Sequence, residues 1–290
     1  MQPTRTSRTA EAMALFRALE TARPPGVRLF ADPLAAGFLP PGLRLLARAA
    51  ALPGLGALLR RYLERRFPGA LSSGVARTRL IDDWASAHIA SGARQIVLLG
   101  AGFDARAWRL AAFAGLPVFE VDHPATAAEK RRRLAAAGRV VSVTLDFDRE
   151  TLPEALARAG FDPQQPTLAI WEGVTNYLSA DAVAAIIDWA GRLAAGSAVI
   201  FTYVDRSVLS DPGRFFGAAR VLREVAATGE PWIFGFDPAR LPRYLDERGL
   251  RLLEDLGADQ YRARCFGAAA ATMRGYQFYR AVNTRMGGDA

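Results

Sequence analysis

Two glycines, a set of acids at predicted strand tips and one inward-facing arginine are the residues of this chain best suited to holding a nucleotide-like ligand. Gly100-Ala101-Gly102 follows the apolar run Ile96-Val97-Leu98-Leu99, and helix-compatible residues resume at Asp104. Strand, glycine turn and helix in that order bring backbone close to a ligand at the carboxyl edge of a sheet. A side chain at either glycine would obstruct the ligand or the turn. Asp122 closes the next predicted strand, Pro117-Val118-Phe119-Glu120-Val121-Asp122. An acid at that place can hold ribose hydroxyls. Glu120 alternates onto the same side, so either carboxylate could serve, and Asp122 is nearer the tip. Asp122 also suits a helix N-cap ahead of Pro124, and His123 reads as a neighbour rather than a base. Asp146-Phe147 follows the third strand, residues 140–144. An acid accepting an exocyclic amine with an aromatic ring against the base fits there, and a plain loop aspartate fits equally well. The fourth strand, residues 167–171, runs into Glu172-Gly173-Val174-Thr175-Asn176-Tyr177-Leu178.

These residues need elements to position them. Residues 9–22 predict an amphipathic helix with Thr9 as its cap, Ala12, Leu15, Phe16 and Leu19 on one face, and Arg23-Pro24-Pro25-Gly26 as its stop. A second helical stretch spans residues 43–67, broken at Pro53-Gly54. With no strand signal in the first ~70 residues, this part predicts a helical cap. In the helix predicted over residues 75–90, Ile81, Trp84, Ala85 and His88 share a face. His88 reads as a satisfied core histidine. Arg77 lies one turn earlier on that side, and a guanidinium directed inward needs an anionic partner. Arg79 faces the other way, with Asp82 and Asp83 as expected surface partners. Later elements are a helix over residues 179–195, a fifth strand at 196–204, an excursion at 205–240, a helix at 238–248, a sixth strand at 250–256 and a last strand near 276–282. An excursion of that length predicts part of a substrate pocket.

Composition narrows the rest. At 290 residues, 51% hydrophobic and 23% charged, the chain has the makeup of one large α/β domain with a helical appendage. One cysteine, Cys265, excludes an intrachain disulfide, and with only His88 and His123 besides, no metal site is expected. A net charge of +8 raises the question of nucleic acid. The arginines are dispersed among alanines, however, and the run Lys130-Arg131-Arg132-Arg133 reads as a solvated helix face, so no nucleic-acid partner is expected. No apolar stretch approaches the ~20 residues that span a bilayer, and no secretory signal is evident. The chain reads as soluble and cytoplasmic, with no membrane partner.

The motifs in their order resemble the leucine carboxyl methyltransferase family, in its bacterial small-protein branch. The pieces are Thr9-Ala10 with Arg17-Ala18-Leu19-Glu20, Leu29-Phe30 with Asp32-Pro33, Ala76-Arg77-Thr78-Arg79 with Asp82-Asp83, Leu99 to Gly102 with Asp104 and Arg106, Phe119 to Asp122 with Pro124, and Glu172-Gly173-Val174 with Tyr177-Leu178. The resemblance runs from about residue 9 to 204. It implies an α/β fold of the class I methyltransferase (Rossmann-like) kind, a doubly wound, mostly parallel seven-stranded sheet. Residues 1–90 would form an N-terminal helical lid on an S-adenosylmethionine-binding domain, residues 91–290, with the insertion at about 205–240. Cofactor contacts are implied at Arg77, Gly100, Asp122, Asp146, Phe147 and Glu172, and the glycine turn adds Gly102. Two departures stand out. Ala105 occupies a position where members commonly carry a hydroxyl, and the lid has no lysine, so either Arg23 or Arg28 would have to substitute for the one used by the eukaryotic phosphatase-methylating members, or that contact is absent.

Methyl transfer from a sulfonium is an in-line displacement. A carboxylate acceptor needs positioning alone, for which Tyr177 with Arg206 or Arg214 is available. A hydroxyl acceptor needs a general base, and Glu172, Tyr177 and His123 are the only groups on offer. The expected activity is O-methylation of a small molecule bearing a carboxylate or hydroxyl, with Tyr177 and Glu172 as catalytic candidates. The alternatives are an NAD(P)-dependent oxidoreductase, whose fingerprint Gly100-Ala101-Gly102 with Ala105 also satisfies, and methylation of a protein C-terminal carboxylate. Nothing in the sequence sets the oligomeric state.

Overall fold

In the computed structural model, residues 8–134, 140–145, 150–227, 229 and 231–287 are described. The chain opens with four helices. Helix α1 (Arg8–Thr21) already includes Arg8, so Thr9 lies inside it rather than at its cap. Helices α2 (Pro41–Ala49) and α3 (Leu55–Arg66) are separated around Pro53-Gly54, as the sequence predicts. Helix α4 (Ala70–Ala90) starts earlier than its apolar period suggests. The reason is local: Gly69 takes the left-handed φ of 82°, and the Glu64 carboxylate accepts from the amides of Gly69 and Ser72 at 2.9 and 2.7 Å. That satisfies donors which a helix start leaves free.

Strands and helices then alternate. They are β1 (Gln95–Leu99), α5 (Arg106–Arg109), β2 (Val118–Asp122), α6 (Pro124–Arg133), β3 (Val140–Thr144), α7 (Leu152–Arg158), β4 (Thr167–Trp171), α8 (Ala180–Ala190) and β5 (Ala198–Val204). Ser179 caps α8, its hydroxyl accepting from the Ala182 amide at 3.2 Å. That helix stops short of residue 195, and Gly191 at its end packs against the Arg248 carbonyl with no room for a side chain. Beyond β5 come α9 (Ser207–Ser210), α10 (Ala218–Ala227), α11 (Leu241–Asp246), β6 (Leu250–Gly257), α12 (Ala258–Phe266) and β7 (Tyr279–Met286). Helix α12 is a finding the sequence reading lacked, and β7 lies further along than expected.

The seven strands form one sheet in the order β3-β2-β1-β4-β5-β7-β6. Strands β1 to β5 pair in parallel, and β7 runs antiparallel to both β5 and β6. The central strands β1, β4 and β5 are buried along their whole length, which explains their unbroken apolar runs. Alternation along β1 sends Val97 and Leu99 to a core under α7, α8 and α11, and Ile96 and Leu98 to a second core under α4 and α12. A third cluster ties α1 and the residues after it to the loop leaving β1: Leu15, Leu19 and Phe38 pack with Phe103 and Ala105. The rings of Phe38 and Phe103 stack with centroids 4.9 Å apart. Strand order reverses at β1, between β2 and β4, which places a ligand crevice at the carboxyl ends of β1 and β4.

Phe38→Ala removes that stack from a fully buried site. We expect a loss of about 3–5 kcal/mol, read as a lowered urea midpoint with an unchanged slope.

Candidate active site

The crevice holds a cavity of about 580 Å³, within the range that small-molecule sites occupy. Its lining brings together Arg77, Gly100, Gly102, Asp122, Glu172 and Tyr177. Asp146 and Phe147 lie outside the described residues. Gly100 has φ 62° and Gly102 φ 45°. A Cβ on Gly100 would sit 2.5 Å from a Val174 methyl carbon, so only glycine allows the β1 turn and the segment after β4 to approach this closely.

Asp122 stands at the tip of β2 with one carboxylate oxygen accepting from the Gly102 amide at 2.6 Å and the other from the His123 amide at 2.7 Å. Burial pushes its pKa up, against those two hydrogen bonds. The N-cap of α6 is His123 rather than Asp122; its Nδ1 accepts from the Ala125 amide at 3.3 Å. Glu120 faces a smaller neighbouring pocket and pairs with Lys130 at 2.7 Å. Burial raises the Glu120 carboxyl to about 7. Lys130 is itself buried, so the basic run on α6 is not the uniformly solvated face expected; only part of it points outward.

The inward arginine finds its anion within the protein. Arg77 donates through Nε to Glu172 Oε1 at 2.8 Å, and its guanidinium lies over the Tyr279 ring at 4.7 Å. Glu172 also accepts from Arg106 at 2.8 Å. Burial alone would raise Glu172, but Arg106 and Arg77 outweigh it and hold the carboxyl below its ordinary range. Arg106 continues to Asp104 at 2.5 Å and Asp82 at 2.7 Å. Asp82 reaches Arg109 at 2.6 Å, Arg109 lies 3.7 Å from Asp32, and Asp32 binds Arg17 at 2.8 Å. Four arginines and four carboxylates thus form one connected buried chain. Asp82 belongs to it and not to Arg79, which keeps Asp83 at 2.8 Å as its surface partner. The period of α4 hides this, because only a long-range partner marks Asp82 as inward-facing.

Several other expectations need correction. Arg206 and Arg214 are exposed and absent from the lining, so neither orients an acceptor there. Arg23 pairs with Glu20 at 3.0 Å, Arg28 donates to the Thr21 carbonyl at 3.5 Å, and neither reaches the cavity. The arginine of α1 that does is Arg17, which also donates to the Phe103 carbonyl at 2.6 Å. His88 behaves as a core histidine: Nε2 is 2.6 Å from Asn283 Oδ1, and burial lowers its pKa. The remaining wall comes from Val174, Leu178, Trp232, Ile233 and Tyr279. The 205–240 excursion therefore does contribute to the cavity, through residues near its far end. Trp232 packs against Phe278 and Tyr279, and no sequence motif singled out Tyr279. No group of histidine, cysteine or acidic side chains suited to a metal occurs among the described residues.

The sheet order and the crevice at its carboxyl edge are those of the class I methyltransferase fold. The sequence profile of the leucine carboxyl methyltransferase family matches residues 10–191, and the chain belongs to that family. A Frankia alni protein proposed to be an S-adenosyl-L-methionine-dependent methyltransferase is 41% identical over 76% of this chain and 75% of its own length. A Streptomyces coelicolor protein proposed to have the same activity is 40% identical over 72% and 73%. The fold is shared with a DUF574 family protein from Streptomyces avermitilis (TM-score 0.58, 17% identity, covering 97% of this chain and 98% of that one). It is shared too with a protein from Thermobifida fusca proposed to be a methyltransferase (0.59, 19%, 93% and 97%). As a family member the protein is an enzyme that takes its methyl group from S-adenosylmethionine, and the oxidoreductase reading falls away.

Asp82→Ala takes both hydrogen-bonded contacts from buried Arg109 and one of three carboxylates from Arg106, and should cost about 3–5 kcal/mol in chemical denaturation. Glu172 contributes stability that is fully present above its ordinary value of 4.5 and is lost as pH falls through its lower folded value. Melting of the wild type and Glu172→Gln should therefore differ at neutral pH and converge as pH falls below 4.5 and through the carboxyl's lower folded value.

Proposed function

We propose that this protein is an O-methyltransferase acting in the cytoplasm on a carboxylate of a small, largely apolar molecule. The observation that carries this reading is the unequal character of the cavity. Its lining sets the glycine turn, Asp122 and the Arg77–Glu172 pair beside apolar and aromatic side chains, Val174, Leu178, Trp232 and Ile233 with Tyr177 and Tyr279.

The polar part fits the cofactor's chemistry. Gly100 and Gly102 leave the backbone open to close approach. Asp122 keeps lone pairs free for vicinal hydroxyls after its two backbone bonds. Arg77 and Glu172 present a cation and an anion side by side, complementary to the carboxylate and ammonium of an amino-acid end. Residues 1–90 act as a lid over residues 91–290, since α1 and α4 supply Met13, Arg17, Arg77 and Thr78 to the wall. Asp146 and Phe147 keep their implied role at the adenine.

When bound, S-adenosylmethionine supplies an electrophilic methyl on a sulfonium, open to in-line displacement by an acceptor oxygen. The protein's own groups favour an acceptor that arrives ionised. Glu172 is held by two arginines below the usual carboxylate range and is a poor proton acceptor. Burial pushes the Tyr279 hydroxyl up. No histidine, lysine or cysteine lines the cavity among the described residues. Tyr177 orients the acceptor, while Glu172 positions Arg77. The apolar wall excludes water, and in a low-dielectric setting attraction between a carboxylate and a cationic donor is stronger than in water.

Incubation with methyl-labelled cofactor and a metabolite extract should yield label that mild base releases as methanol. Label stable to base would overturn the carboxylate assignment. Asp122→Ala should weaken cofactor binding at least about tenfold in calorimetry, the loss of one charged hydrogen-bond acceptor. Trp232→Ala should leave cofactor affinity within about twofold and raise the acceptor KM.

A further inference from the structure

Helices α2 and α3 carry apolar side chains that the fold leaves uncovered. Six of the eleven exposed large hydrophobic side chains among the described residues fall between positions 45 and 62: Leu45, Leu46, Leu52, Leu55, Leu58 and Tyr62. Leu45 is 70% exposed, Leu58 64% and Tyr62 60%. On α3 the two faces divide cleanly. Gly56 is buried, and Leu59 and Leu63 pack into the cluster formed with α1. Leu55, Leu58 and Tyr62, spaced three and four apart, stand on the outside. A core-facing helix of a soluble protein normally carries polar residues there.

Charge identifies what would cover this face. Residues 41–66 contain Arg44, Arg48, Arg60, Arg61, Arg65 and Arg66 against Glu64 alone, a balance of six minus one, or +5. Glu64 is spent at the start of α4. Arg44 is turned to the carbonyls of Gly37 and Leu39. Arg48, Arg61, Arg65 and Arg66 are exposed and enter no ion pair among the described residues. Arg61 and Arg65 flank the Leu58–Tyr62 stripe one turn apart. Leucine and tyrosine with arginine at their margin is the pattern of a helix that lies in the plane of an anionic lipid surface.

We propose that the exposed face of α3 docks this protein on an anionic bilayer, with Leu58 and Tyr62 entering the interface and Arg61 and Arg65 meeting lipid phosphates. A second copy of the chain would set +5 against +5 on the same face, and a nucleic acid would match the arginines while leaving the leucines in water. No helix among the described residues is long and apolar enough to cross a membrane, so the contact is peripheral.

The test is flotation of the full chain with phosphatidylcholine vesicles, with and without phosphatidylglycerol. Binding is expected only with phosphatidylglycerol and should weaken as salt rises. Each arginine lost should cost about fivefold, so the paired change R61E with R65E should lower partitioning by more than tenfold, and L58S with Y62S should also lower it. Both pairs should retain wild-type S-adenosylmethionine affinity, which shows that they are folded. Absence of binding, or equal binding to both vesicles, would overturn the proposal. So would displacement of the vesicles by a homopolymer RNA, or a dimer in light scattering that L58S dissolves.

Discussion

A single buried chain of charges holds the cavity in shape. It runs from Arg17 on α1 through Asp32, Arg109, Asp82, Arg106 and Glu172 to Arg77 on α4, with Asp104 as a side branch from Arg106. Five separate parts of the chain meet in it: α1, the segment before α2, α4, the loop and short helix after β1, and the tip of β4. Each charge is largely withdrawn from water and is held by a neighbour of opposite sign. Registry between these parts is fixed accordingly, because a slip that separated any one pair would leave an uncompensated ion in the interior. The last link, Arg77 to Glu172, borders the cavity, so the polarity of the site's floor is set by the same network that docks the helices.

The polar and apolar parts of the lining come from different pieces of the fold. The polar part is built from the tips of β1, β2 and β4, where Gly100 leaves room for the Val174 side chain to pack against the turn. The apolar part comes from the short segment after β4, the far part of the long excursion and the start of β7. These latter elements lie outside the parallel half of the sheet.

The sequence revealed most of the sheet and the strand tips, because both are local. Unbroken apolar runs mark β1, β4 and β5, and the glycine turn and the acids follow them directly. Sequence also indicated that Arg77 turns inward, since period alone sets its direction. It did not reveal the partner, because Glu172 is 95 positions away. Asp82 was misplaced for the same reason: its neighbour Arg79 offered a plausible local pair, while Arg106 and Arg109 lie beyond the reach of helical spacing. Trp232 and Tyr279 carry no signature at all, and they enter the cavity only through the antiparallel return of β7. Lys130 misled by composition, as three arginines beside it suggested water when its own ammonium points to Glu120.

That inward turn has a practical side. Lys130 is the only lysine among 37 basic residues, and it is buried in an ion pair at 2.7 Å. The positive surface is consequently built of guanidinium groups throughout. Acylating reagents and amine-reactive cross-linkers find no exposed lysine side chain here, and the same holds for enzymes that acetylate or ubiquitinate lysine.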